Sequence, residues 1–178
     1  MHAGHNVERM ASLCGMVALR LGLPAERCAL IRTASLLHDI GKLAIPSRIL
    51  RKAGPLTAEE RKEVEEHTTL GYRILRGSSS EVVRVAAAMA LTHHERYDGK
   101  GYPHGLSGEQ IPLEGRIAAV CDVFDALTEP RPYRPLAFTR DEAIRMIREE
   151  RGKAFDPVVV DALLESLDLV DALEQYAA

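Results

Sequence analysis

The chain has 178 residues, 46% hydrophobic and 4% aromatic, with no Trp and a formal net charge of −3. That length suits one domain with a buried core. The mild charge and the lack of a Lys/Arg run argue against a polynucleotide surface, while local basic clusters can still hold a phosphate.

In chain order, almost every periodic segment reads as helix. A first helix covers Gly4 to Leu21 and stops at Gly22, with Pro24 beyond it. A second runs from Ala25 to His38 and delivers "LLHDIGK"; "IPSRILRKAGPL" is a loop or a short helical turn. Thr57, with Glu60 three residues on, predicts a capping box for a third helix that reaches Leu75 and carries His67. A fourth spans Glu81 to Glu95 and ends in His93 and His94. The segment from Arg96 to Pro112 is too rich in Gly and Pro for regular structure. A fifth helix covers Leu113 to Leu127, "TEPRPYRPLAF" is an ordered loop or linker, and Thr139 with Glu142 opens a sixth that runs to Glu150. Pro157 suits the first turn of a last helix. With no convincing strand pattern, the expected fold is all-α, one compact bundle of six to seven helices over 1–178.

Cys14, Cys28 and Cys121 lie inside apolar helical patterns without C-x-x-C spacing, which predicts buried free thiols in a reducing compartment. No leader or membrane-length apolar run is visible, so a cytoplasmic location is expected unless Met1 is an artificial boundary.

Four of the seven histidines stand at predicted helix ends or faces, several beside acids: His38 with Asp39, His67, and His93–His94 with Glu95. Asp122 and Asp125 are three apart on one helix and share a face. Imidazole suits Fe, Mn, Ni and Zn, and carboxylates can bridge two ions. Helical bundles assemble dinuclear sites from such mixed ligands on separate helices. One ion needs about four protein ligands; this set offers more, which favours two. Taken singly, His67 reads as a hydrogen-bonded core residue, Asp122 as a solvated charge, and "DGKG" as a turn. The joint pattern carries the metal reading.

"HDIGK" (His38–Lys42), "HTTLG" (His67–Gly71), "HHERYDGKGYP" (His93–Pro103) and "RIAAVCDVFDALTEPRPYR" (Arg116–Arg134) resemble the HD-GYP family of HD-domain phosphohydrolases. HDxGK by itself marks only the wider superfamily; the GYP segment with RPYR downstream is more specific. The resemblance implies an all-helical domain that hydrolyses cyclic di-GMP at two, sometimes three, metal ions, often iron or manganese, with Ni, Zn or Mg as alternatives. Carried over, it implies that Asp39 bridges the ions. His67, His93 and His94 complete one shell, and His38 and Asp122 hold the other ion. Lys42 meets the scissile phosphate, Arg131 and Arg134 contact substrate phosphates, and Asp125 orients a ligand or an arginine. The loop at Gly101, Tyr102 and Pro103 is linked in that family to docking of diguanylate cyclase (GGDEF) domains; the residues alone also fit a purely structural turn. Family members usually carry a sensory or receiver domain ahead of this one. None is visible here, so the chain reads as one domain and as a possible fragment, with a homodimer left open.

One departure stands out. Where the family places a His in the first helix, this chain has Asn6, and where it often has a Glu one turn earlier, it has His2. An amide oxygen is a poorer ligand for a transition metal than imidazole. His2 lies on the face of Asn6, while adjacent His5 points about 100° away. Either histidine can replace the ligand after a shift, or water fills the gap; the missing Glu argues against a third ion. The expected activity is a cyclic di-GMP phosphodiesterase giving pGpG, with GMP as a further product left open. The alternative is a catalytically weak or inactive sensor or adaptor.

Overall fold

A computed structural model describes residues 3–129 and 136–177, with side chains for 8–129 and 136–168. Arg131, Arg134 and His2 lie outside the described residues, as do the side chains of His5 and Asn6.

The architecture is helical: α1 (Ala3–Arg20), α2 (Ala25–Ser35), a 3-10 turn (Ile40–Ala44), α3 (Ser47–Leu50), α4 (Ala58–Glu65), α5 (His67–Leu75), α6 (Glu81–Thr92), a second 3-10 turn (Gly108–Gln110), α7 (Leu113–Thr128), α8 (Arg140–Glu149) and α9 (Pro157–Ala177). Among the described residues the only β pairing is two isolated bridges, Asp98 with Ser107 and Arg151 with Phe155. No described helix is long and apolar enough to cross a membrane.

The capping boxes form as expected. Thr57 Oγ1 accepts from Glu60 N–H at 3.2 Å while the Glu60 carboxylate accepts from Thr57 N–H at 2.8 Å. Thr139 and Glu142 repeat the arrangement ahead of α8. Each cap contributes about 0.5–2 kcal/mol.

Three boundaries differ from the sequence expectation, each for a local reason. The helix ending at Ser35 does not reach His38, because the chain tightens into i→i−3 bonds, with Leu37 N–H on Ala34 O and His38 N–H on Ser35 O. The expected third helix is broken at Glu66, where side chains compete for its carbonyls: His67 Nδ1 with Val64 O, Thr68 Oγ1 with Glu65 O, Thr69 Oγ1 with Glu66 O. The fourth stops at Thr92, three residues short of Glu95. There Thr92 Oγ1 and His93 Nδ1 take the carbonyls of Ala88 and Met89.

The apolar stripes meet in one core. Met10, Cys14 and Val17 of α1 recur at helical spacing and pack with Ile31 of α2, Met89 of α6, Ile117 and Val120 of α7, Ile147 of α8 and Val160 and Leu163 of α9. Each such side chain contributes about 1.5–3 kcal/mol on burial. Cys14, Cys28 and Cys121 are free and buried, as predicted. Helix α6 lies between α2, α5 and α7. The C-terminal end of α6 therefore opens beside the turn that follows α2 and beside the start of α5. That placement brings the histidines together.

Candidate metal centre

Asp39 sits at the middle of the cluster. Its Oδ1 lies 3.4 Å from His67 Nε2 and 3.7 Å from His93 Nε2. Its Oδ2 lies 3.4 Å from His38 Nε2 and accepts from the Lys42 ammonium one turn on. These contacts require the turn after α2 to press directly on α5. A Cβ on Gly41 would stand 1.9 Å from the His67 carbonyl oxygen and 2.6 Å from Gly71 N, so only glycine allows that approach.

Three imidazoles are fixed by the same device. His38 Nδ1 donates to Ser35 O at 2.7 Å, His67 Nδ1 to Val64 O at 2.6 Å, and His93 Nδ1 to Met89 O at 2.9 Å. A carbonyl only accepts, so each Nδ1 carries the proton and each Nε2 presents a lone pair. The three lone pairs converge on a carboxylate, which is itself an acceptor. His38 Nε2 and Asp39 Oδ1 are buried without a hydrogen-bond partner. An arrangement of acceptors facing acceptors is repulsive until a cation stands between them. The donor set fits divalent ions.

The ligand atoms fall into two groups, His67/His93/His94 and His38/Asp39/His93, each with all atoms within 4.8 Å of one another. The first is the trio expected from sequence. The second brings His93 to both groups, where His38 was expected to pair with Asp122. Asp122 is still close, with Oδ1 3.8 Å from His38 Nε2.

Protonation suits coordination. Burial lowers His67 to about 4 and His94 to about 2, with neighbouring imidazoles adding to the effect, so both are neutral at neutral pH. Burial pushes the Asp39 carboxyl up, but the His93 and His38 rings, whenever they carry a second proton, and the Lys42 ammonium pull harder, so it stays ionised, below the usual carboxylate range.

Asp125, one turn beyond Asp122, pairs with an arginine of α1. Its Oδ1 accepts from Arg9 Nε at 2.7 Å. Arg9 Nη2 also reaches Asp125 O at 3.1 Å and Thr128 Oγ1 at 2.9 Å, tying α1 to the end of α7. The arginine-orienting role implied by the resemblance agrees with this contact.

Glu95 reads in sequence as another acid beside histidines, yet it serves the loop. Its buried carboxylate accepts from His104 N–H at 2.7 Å and Leu106 N–H at 3.0 Å. Tyr102 of the Gly101–Pro103 loop stacks on His94 with ring centroids 4.9 Å apart at 25°. A cleft of about 570 Å³ opens beside these groups, walled by His93, His94, Tyr102, Val123, Leu127 and Phe155.

The profile of a family described as HD domain matches residues 1–159. Over 158 residues the chain is 51% identical to a Xanthomonas campestris protein named cyclic di-GMP phosphodiesterase response regulator RpfG, covering 89% of this chain and 42% of that one. It is 41% identical over 165 residues to a Vibrio cholerae 3′3′-cGAMP-specific phosphodiesterase 2, covering 93% of this chain and 31% of that one. The chain thus spans less than half the length of these relatives. Among solved structures, an HDG"Y"P protein of Bdellovibrio bacteriovorus superposes with a TM-score of 0.70 at 18% identity, over 92% of this chain and 52% of that one.

Proposed function

This chain belongs to the HD-domain family, in its HD-GYP branch, and we propose that it is a metal-dependent phosphodiesterase that hydrolyses cyclic di-GMP to linear pGpG. The observation that carries the reading is the convergence of three Nε2 lone pairs on the Asp39 carboxylate.

His67, His93 and His94 would hold one divalent ion and His38 and Asp122 another, with Asp39 serving both; iron or manganese would suit the donors best, with Ni, Zn or Mg next. Bound there, two such ions supply Lewis acidity and a water acidified toward neutral pH. The chain's own part is to aim and neutralise. Backbone carbonyls hold His38, His67 and His93 in the tautomer that leaves each Nε2 lone pair free for an ion. Lys42, half-exposed at the mouth of the site, exchanges its Asp39 contact for a phosphoryl oxygen. Arg131 and Arg134 take the remaining phosphate charge. The buried, reduced cysteines support a cytoplasmic setting. The loop at Gly101–Pro103 is the surface on which a diguanylate cyclase domain docks.

Asn6 favours one second reading, a slow or inactive cyclic di-GMP sensor in which the ion at His38 and Asp122 is weakly held. The relative named as 3′3′-cGAMP-specific makes that dinucleotide the competing substrate to test. Metal analysis of anaerobically purified protein, run beside turnover of both dinucleotides by wild type, Asp39→Ala and His93→Ala, decides among these. The expectation is loss of metal and turnover in both variants with the fold intact. Wild-type hydrolysis by either variant removes the metal assignment, and a metal-loaded wild type that binds but never cleaves selects the sensor.

A further inference from the structure

Of the four clustered imidazoles, His94 is held in a different way. His38, His67 and His93 each donate Nδ1–H to a backbone carbonyl. The described ring contacts of His94 are all aromatic: edge-on to His67 at 5.0 Å and 81°, tilted to His93 at 4.1 Å and 44°, and stacked on Tyr102 at 4.9 Å and 25°. The first two partners are themselves in the cluster. Tyr102 alone comes from outside it.

The loop is built to keep that ring in place. Tyr102 N–H donates to His94 O at 3.2 Å, so the residue is tied to the backbone of the histidine whose ring it covers. Gly101 lies flat on the same stretch: a Cβ there would meet Arg96 N at 2.3 Å and His94 O at 2.5 Å. On the far side of Pro103, Glu95 gathers the N–H groups of His104 and Leu106.

We propose that Tyr102 is a positioning residue of the metal centre, its ring fixing the imidazole of His94 toward the ion shared with His67 and His93. It replaces for His94 the backbone carbonyl that orients the other three. Any contact that shifts the loop then also turns a ligand. The assignment rests on the reading of the cluster as a metal centre.

The test needs no nucleotide. Metal-free wild type, Tyr102→Phe, Tyr102→Leu, Tyr102→Ala and His93→Ala are titrated anaerobically with Mn(II) by calorimetry. In parallel, the His94 ring resonances of the metal-free proteins are followed by NMR with labelled histidine. Loss of an orienting partner weakens metal binding by about ten- to a hundredfold. Tyr102→Ala and Tyr102→Leu are expected to lose affinity by that factor and to shift the His94 ring protons downfield as the stacked ring current disappears. Tyr102→Phe keeps both at wild-type values. Wild-type Mn(II) affinity in Tyr102→Leu overturns the assignment, as does a Tyr102→Phe that binds no better than Tyr102→Leu. Should Tyr102→Ala fail to fold by circular dichroism, the Leu and Phe pair carries the comparison. If His93→Ala also binds Mn(II) as wild type does, the metal centre itself is refuted; if only the Tyr102 variants are silent, the centre stands and the positioning role falls.

Discussion

Replacing Glu95 isolates the anchor of the loop that carries Gly101–Pro103. Glu95 is 3% exposed, and its carboxylate accepts two backbone N–H groups, from His104 and Leu106. A hydrogen bond to a charged acceptor contributes about 1.5–3 kcal/mol, so Glu95→Ala removes about 3–6 kcal/mol of local stabilisation. The loop lies over the histidines and is not threaded through the core, so most of this loss appears as local opening and little as global unfolding. At about 1.4 kcal/mol per factor of ten, exchange of the His104 and Leu106 amides accelerates at least about a hundredfold. Glu95→Gln keeps one acceptor and turns a donor toward the second N–H, so only one of the two amides retains protection. Hydrogen exchange read at single amides, with a denaturant melt as control, measures both. Unchanged exchange at His104 and Leu106 in Glu95→Ala, with a melt shifted as a whole, would refute the reasoning: the carboxylate would then support the core and not the loop.

Asn6→His is expected to tighten the more weakly held of two bound ions, since imidazole binds first-row metals better than an amide oxygen; metal retained through dialysis reports it. If His2→Ala alone strips that ion, His2 already fills the place and Asn6→His adds little. Arg9→Ala lowers unfolding free energy by about 1–2 kcal/mol, a charge-assisted contribution reduced for the solvent around a half-exposed side chain, and Arg9→Lys recovers only part because it lacks the fork; chemical denaturation checks both. The metal-free protein loses stability as pH falls from about 6.5 toward the value of about 4 set by burial of His67, because over that range the unfolded chain binds the proton and the folded chain does not. A melting temperature that stays level between pH 7 and 4.5 under chelation contradicts this.

Much of the site is legible in the sequence. The cap at Thr57 and the apolar spacing of α6 and α7 bring His67 and Asp122 onto helices and His93 to the end of one, because those signals act within one turn of helix. In sequence His38 reads as the end of a helix, whereas it sits in a tighter turn with Asp39 just beyond; that turn presses Gly41 onto α5, a contact that no local pattern reports. The break at Glu66 depends on His67 and two threonines turning back onto carbonyls, a choice that tertiary packing makes for them. Glu95 and Tyr102 were the least legible. A Glu beside two histidines looks like a ligand, and only the folded loop shows its oxygens occupied by His104 and Leu106. A stacked ring leaves no spacing signature at all.

The contact at Gly41 makes the two halves of the cluster one patch of main chain, and this frees the chain between them. Asp39 and His67 keep their separation because peptide rests on peptide, whatever path the intervening residues follow. The exposed bend at Ala53, Gly54 and Pro55 is therefore slack. Lengthening a loop costs only about 0.6 kcal/mol for each doubling. New chain ends opened at that bend, or a reporter grafted into it, would leave His38, Asp39 and His67 clasped together. It is the place where this domain can be cut, extended or wired to a sensor without reaching the ligands.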